Sequence, residues 1–323
     1  MHSRNEKGLT MKVLVAGATG AMGKQLVPRL VAEGHEVVGI TRTEAKLGLI
    51  RELGGTGVVA DVLDPDAVAR VVAAAAPEVI IHELTALNRP FDTRHFDETF
   101  AETNRLRTEG TDHLLAAGRA VGVKRFIAQS YAGWPAERTG GTVKTEDAPY
   151  DPVPPKGMRE SLDAIRYLEA AVTGADWTDG IVLRYGGFYG PGTSMSRDGG
   201  AQVELLRERK FPVVGNGRGV WSFVHIADAA EATAAAVTRG RAGIYNIVDD
   251  EPAPVAEWLP AAAAAIGAPE PRHVPRWLGR IFAGEVGAVM MTEVRGASND
   301  KAKRELGWQP RHASWREGFA QAA

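Results

Sequence analysis

The alternation of residue types along this 323-residue chain predicts an α/β fold, a doubly wound parallel sheet with a smaller C-terminal lobe. Three observations lead there. From Met11 an apolar run, a glycine turn and an amphipathic stretch follow one another twice; five further β-rich runs alternate with helical patterns; and the composition, 44% hydrophobic and 24% charged, is that of an ordinary globular protein. A chain of this size can bury about three quarters of its unfolded surface, which suits one large domain or two coupled ones.

The elements follow in order. KVLVAG (12–17) reads as a strand, KQLVPRLVAEG as a helix, HEVVGITR as a second strand and TEAKLGLIRELG as a second helix. Further strands are expected in TGVVADV, PEVIIHEL, VKRFIAQS, DGIVLRYG and AGIYNIVD, with helices over Pro65–Ala76, Phe96–Val121 and Arg159–Thr173. Between them Gly133 to Gly157 is rich in Gly, Pro and Thr, and Pro149, Pro152, Pro154 and Pro155 oppose helix, so this stretch is expected to be a long loop of the kind that often carries function. Residues 187–221 and 251–323 lose the regular alternation and are assigned to the smaller lobe.

Charge and composition remove several functions. With 38 Lys+Arg against 40 Asp+Glu the formal charge is −2, so neither nucleic acid nor an anionic membrane is an expected partner. No apolar run approaches the ~18 residues of a membrane span. Zero cysteines exclude disulfides, thiolate nucleophiles and cysteine-ligated metals. The polar MHSRNEKGLT at residues 1–10 is expected to be flexible, and a cytoplasmic location is expected because Val13 to Ala16 is too short for a signal-peptide core.

The most informative motif is Gly17-Ala-Thr-Gly20-Ala-Met-Gly23, between the first strand and the first helix. Glycines there allow a tight turn, close approach of backbone to a pyrophosphate, and helix–strand packing; Gly17, Thr19, Gly20, Ala21, Met22 and Gly23 are the candidate phosphate-binding residues. The second strand ends in Thr41-Arg42, where an NAD site would carry an acidic residue. A hydroxyl and a guanidinium suit the 2′-phosphate of NADP, so NADP(H) is expected in preference to NAD(H). Residues 11–186 with 222–250 are thus the expected dinucleotide-binding domain and 187–221 with 251–323 the substrate lobe.

Taken together the chain resembles the extended short-chain dehydrogenase/reductase family, the NAD(P)-dependent epimerase/dehydratase group of Rossmann-type enzymes. The markers are the GATGAMG loop, Asp61-Val62, Asn104 with Gly110-Thr111, Arg184-Tyr-Gly-Gly-Phe-Tyr-Gly-Pro, Phe223-Val-His-Ile-Ala-Asp228, Tyr245-Asn246 and the closing Asn299 to Trp308 segment. The resemblance implies that Asp61 and Val62 lie against adenine, that Leu84 and Thr85 pass along the cofactor, that Asn104 and Tyr185 belong to its site, and that Phe96–Val121 with Arg159–Thr173 form a homodimer face. It also implies a catalytic tyrosine with a lysine four residues later, whose charge lowers the phenol's pKa. This chain contains no Tyr-x-x-x-Lys. The substrate-binding hydroxyl of the family falls at Ser130 or Tyr131, the candidate catalytic residues, while Lys144, Tyr150 and Lys156 are further loop groups. His82-Glu83 lacks the second histidine of a zinc-protease motif, Ala86 standing in its place, so no metal is expected.

Three functions remain open: an NADP(H)-dependent oxidoreductase or epimerase-like enzyme acting on a carbonyl or hydroxyl of a small molecule, a non-redox lyase or isomerase that retains the nucleotide, or a binding or sensing protein without catalysis.

Overall fold

A computed structural model describes residues 10–87 and 92–321. The expected flexible N-terminus therefore lies, apart from Thr10, outside the described residues. Seven parallel strands form the central sheet: β1 (Lys12–Ala16), β2 (Glu36–Thr41), β3 (Thr56–Val59), β4 (Val79–His82), β5 (Arg125–Tyr131), β6 (Asp179–Tyr185) and β7 (Gly243–Ile247). Their order is β7-β6-β5-β4-β1-β2-β3. The chain reverses direction across the sheet beside β1, which pairs Val15 with Gly39 on one side and Ile81 on the other. Ligands bind at such a reversal, outside the carboxyl ends of the strands.

The helices follow from local chemistry. Helix α1 (Ala21–Ala32) starts directly after Gly20, and α2 (Leu47–Glu52) is one short turn of chain before β3. Helix α3 (Pro65–Ala75) has Pro65 in its first turn and Asp64 as N-cap, whose carboxylate accepts from the N–H of Asp66 and Ala67. The segment expected as one helix over Phe96–Val121 is α4 (Phe96–Arg105), a π turn (Leu106–Gly110) and α5 (Thr111–Val121), which ends at Gly122 in the left-handed region. Helix α6 spans Arg159–Thr173.

Alternation in the strands sends side chains to two cores. Val13, Val15, Ile81, Ile127, Leu183 and Tyr245 pack toward α1 and α8 (Ile226–Thr238), while Leu14, Ile80, Phe126 and Val182 pack toward α3, α5 and α6. A third cluster gathers Tyr189, Leu206, Phe223, Trp258, Trp315 and Phe319 from the chain beyond β6. Its helices are α7 (Ala201–Arg207), α9 (Val255–Ala265), α10 (Arg276–Thr292) and α12 (Trp315–Gln321). Helix α11 (Asp300–Leu306) belongs to the stretch expected in the second lobe, yet its Ala302 and Leu306, with Trp308, lie in the sheet core beside α8. Among the described residues no helix is long and apolar enough to cross a membrane.

The Gly133–Gly157 stretch has little regular structure but is firmly held. Val143–Lys144 pairs with Gly296–Ala297, and the Arg138 guanidinium bonds Asp151, Glu293 and the Val153 carbonyl.

Candidate active site

The loop after β1 is shaped by collisions that only glycine avoids. Gly17 has φ +101°, and a Cβ there would lie 2.6 Å from the Glu83 carbonyl oxygen; a Cβ on Gly23 would lie 2.4 Å from the Gly17 oxygen. Gly20 differs, being exposed, with only the Gly17 oxygen at 3.4 Å from such a Cβ. It occupies the N-cap of α1, where no side chain caps the helix and no acidic residue stands in the first turn. The N–H groups of Ala21, Met22 and Gly23 thus begin a helix with a free positive end, open in front of Gly20 and partly exposed Thr19. A pyrophosphate fits this cradle. The Met22 side chain does not face it: it is buried in the core beneath, so only its main chain is available.

Toward the far edge, Thr41 is buried and its hydroxyl closes a turn on Thr43, accepting from the N–H at 3.3 Å. Arg42 is exposed and pairs with Glu102 of α4 at 2.6 Å. Strand β3 ends at Val59, shorter than TGVVADV suggested, because Asp61 turns the chain by accepting from Leu63 N–H at 3.0 Å. Val62 is buried, its carbonyl bonded to His113.

After β4 the chain passes over the sheet end with Leu84 partly exposed and Thr85 exposed. The Leu84 carbonyl accepts from Gln129, and Ala86 N–H donates to Thr103 of α4. Asn104 donates to Ser161 at 3.1 Å. His82 accepts from Leu84 N–H through Nδ1 and bonds the Leu106 carbonyl through Nε2, and burial holds its pKa down at about 4, so it is neutral with both nitrogens engaged. Tyr185 requires a correction. It is buried in the core on the α1/α8 face, because on β6 the residues Leu183 and Tyr185 point to that face, and its hydroxyl bonds Glu83 at 2.8 Å.

The carboxyl ends of β5 and β6 carry a buried ion network. Glu169 of α6 takes two bonds from Arg184 (Nε at 2.9 Å and Nη2 at 2.5 Å), one from Ser130 Oγ at 2.6 Å and one from Tyr150 at 2.5 Å. Ser130 is thereby committed to a buried carboxylate, which corrects its expected role of holding substrate. The Tyr131 phenol has no hydrogen-bond partner among the described residues, and its ring lies 6.3 Å from that of Trp134. A cleft beside it is lined by Tyr131, Lys144, Tyr150, Arg184, Asn246 and Ala297. Burial raises the Tyr131 pKa to about 12; burial and then the charge of Glu169 raise that of Tyr150 to about 12. Lys144 is engaged by Glu137 at 3.0 Å and the Thr139 carbonyl. At the start of α6 Met158 and Leu162 are both buried and apolar, and the helix holds one tyrosine, Tyr167, and no lysine. No tyrosine here is tuned for proton transfer near neutrality.

His225, Asp228 and His312 also meet, but their atoms are occupied. His225 Nδ1 caps α8 by accepting from Ala227 N–H, Asp228 accepts from the His312 main chain and ring, and the two rings stack at 3.8 Å. Nδ1 of His225 is thus spent on the α8 cap, and Nδ1 of His312 on holding the C-terminal segment to α8. The N-cap of α8 is His225, and Asp228 lies in the first turn.

The burial of three ionisable side chains was not foreseen from the sequence: Glu169, Arg184 as its partner, and Glu83. Each left a signal. Glu169 stands within the apolar stripe Leu162, Ile165, Leu168, Val172 of α6, and Arg184 and Glu83 interrupt the apolar runs IVLRY and VIIHEL.

The model of the NAD dependent epimerase/dehydratase family matches residues 13–248. The chain belongs to that family. This epimerase/dehydratase-family protein is 46% identical over 310 residues to a 3-diazoavenalumate denitrifying reductase from a Streptomyces species, covering 96% of this chain and 99% of the relative. Among solved structures it resembles the Bordetella bronchiseptica enzyme WbmG in complex with NAD and UDP (TM-score 0.72, 20% identity, 98% and 94% of the two chains) and human epimerase family protein SDR39U1 with NADPH (TM-score 0.71, 22% identity, 96% and 98%). It is an enzyme of the NAD(P)-dependent oxidoreductase/epimerase type.

Proposed function

We propose that this enzyme is an NADP(H)-preferring reductase that delivers hydride to a carbon-bound diazonium group, releasing dinitrogen. The observation that carries the reading is a cleft without a tuned proton donor: its tyrosines, Tyr131 and Tyr150, have raised pKa values, and neither is followed four residues later by a lysine. Carbonyl reduction creates an alkoxide that needs a proton, which is why a lowered tyrosine pKa matters in that chemistry. A diazonium carries its own positive charge. In the net change hydride joins carbon, the carbon–nitrogen bond breaks and dinitrogen departs with the electrons of that bond, so no proton is required. The 46% identical denitrifying reductase supports this substrate class.

The α1 N-terminus would hold a nicotinamide nucleotide, which would supply the hydride. The Gly17–Gly23 loop holds the pyrophosphate, Leu84 and Thr85 border the cofactor path, and Arg42 with Thr41 favours the 2′-phosphate. Since Glu102 competes for Arg42, Arg42→Ala should weaken NADPH about 10–100-fold, with little change for NADH, as expected for loss of a charged hydrogen bond. Equal losses measured by calorimetry would remove Arg42 from cofactor choice.

The direct test supplies an arenediazonium salt with NADPH deuterated at the transferable position. Deuterium in the arene product, with loss of reduced cofactor and release of dinitrogen, supports the proposal. Reduction of a ketone panel with no consumption of the diazonium would replace it with carbonyl reduction, the reading that the unpartnered Tyr131 phenol favours.

A further inference from the structure

Glu83 lies where the dinucleotide reading places the cofactor, directly beneath the phosphate loop. Its N–H donates to the Ala16 carbonyl at 2.8 Å, and its main chain and Cβ close the space above Gly17, where an added Cβ would come within 3.3 Å of its own Cβ. Its carboxyl points into the core on the α1/α8 face, and Oε2 has no partner. Oε1 is 2.8 Å from Tyr185 Oη, that hydroxyl is 2.7 Å from Thr233 Oγ1, and Thr233 donates to the Ala229 carbonyl at 2.8 Å.

The directions of these bonds select a protonation state. The Thr233 hydrogen is spent on Ala229, so Thr233 Oγ1 can only accept from Tyr185. If Tyr185 donates to Thr233, the hydrogen between Glu83 and Tyr185 has to come from Glu83. The complete chain is Glu83 to Tyr185 to Thr233 to the Ala229 carbonyl, with every hydrogen placed, and it exists only when Glu83 is a neutral acid. Ionisation turns the Tyr185 hydrogen back to Glu83 and leaves a buried charge on one hydrogen bond.

Among the described residues no countercharge faces this carboxyl. The phosphate loop and β1 present main chain, β6 presents Tyr185, and α8 presents Thr233, its Glu231 being turned to Arg29 and Arg311. On β4 itself His82 points to the opposite face and is neutral, and Gln129 of β5 is bonded to the Leu84 carbonyl. Burial accordingly raises the Glu83 pKa to about 8.

Resting on the nucleotide-binding reading above, we infer that Glu83 is a proton-linked positioning residue: a neutral acid beneath the phosphate loop whose ionisation opposes binding of the cofactor pyrophosphate. A negative charge under the loop repels the phosphates, so the occupied site holds the proton more tightly than the empty one. Binding above about pH 8 then takes up a proton, and affinity falls as pH rises, by up to about tenfold per pH unit for one linked proton.

The experiment is calorimetric titration with NADPH and NADH from pH 6.5 to 9.5, in buffers of different ionisation enthalpy, for the wild type and Glu83→Gln. The amide keeps the shape of the neutral acid and does not titrate. The expected result is proton uptake approaching one and a falling affinity in the wild type on the alkaline side, both absent in Glu83→Gln. In parallel, infrared spectroscopy should show a protonated carboxyl band in the nucleotide-free wild type at neutral pH that is missing from the variant. Wild-type binding with no proton uptake overturns the coupling, as does a variant that keeps it. Should Glu83→Gln not fold, the wild-type uptake decides alone. Failure to bind either nucleotide at any pH removes the nucleotide reading and the coupling with it, while the infrared band still reports whether Glu83 is neutral.

Discussion

Two glutamates are buried on opposite faces of the same sheet, and their surroundings give them opposite states. Glu169, among the α6 side chains, meets a guanidinium, a serine and a tyrosine, four bonds to two oxygens. Glu83, on the α1/α8 face, meets one tyrosine, and one of its oxygens meets nothing. Equal burial thus produces an ion pair in one place and a neutral acid in the other, because a buried carboxylate survives only where donors replace the water it has lost. The ion pair makes a rigid wall behind the β5 and β6 ends. The lone acid makes a site that can respond to charge above it.

The largest effect should come from breaking the pair. Glu169→Gln leaves Arg184 buried beside a neutral amide, and denaturant unfolding should show a loss of about 3–5 kcal/mol; a loss below about 1 kcal/mol would mean that water already compensates the guanidinium. Tyr150→Phe removes one bond to the same carboxylate from a half-buried position, so about 1.5 kcal/mol is expected in the same assay.

Glu83 should behave differently, because its effect is a slope with pH. The folded state keeps the proton up to about pH 8, whereas the unfolded chain releases it near the ordinary value of 4.5. Fewer protons are then bound unfolded than folded across that window, so this group's contribution is present below pH 4.5 and is lost as pH rises toward 8. Glu83→Gln should remove that part of the decline, making the variant relatively more stable at pH 8 than at pH 5 when melting is compared at both. A constant difference between the two proteins would put Glu83 in its charged form.

Smallest is the effect of Tyr131→Phe on the proposed reaction. With a diazonium substrate, turnover should stay within a few-fold, since no proton is needed, whereas carbonyl reduction donated by this phenol would fall on the order of 10²-fold. Turnover of both substrate types by the two proteins separates the readings and shows whether the face that carries the ion pair also supplies a proton.

Much of this arrangement was legible along the chain, since it rests on local rules. Strand–helix alternation and the placement of Gly17, Gly20 and Gly23 specify the parallel units and the glycine-shaped loop after β1, and the absence of Tyr-x-x-x-Lys is plain along the chain. Residue spacing within single elements is enough for such statements. The helix over Phe96–Val121 was visible for the same reason, though not its π turn at Leu106–Gly110, which depends on the neighbours it packs against.

Tertiary structure decided whatever depends on partners distant in sequence. Tyr185 and Arg184 are adjacent, yet the pleat sends one to Glu83, 102 residues away, and the other to Glu169, 15 residues away. Ser130 read as a substrate hydroxyl until α6 brought Glu169 to it, and Arg42 read as a free phosphate ligand until α4 brought Glu102. The sequence by itself determined the sheet, the loop and the missing acid pair. Only folding decided which buried groups are charged, because charge in an interior is set by the donors gathered around it, and these come from elements that no local pattern connects.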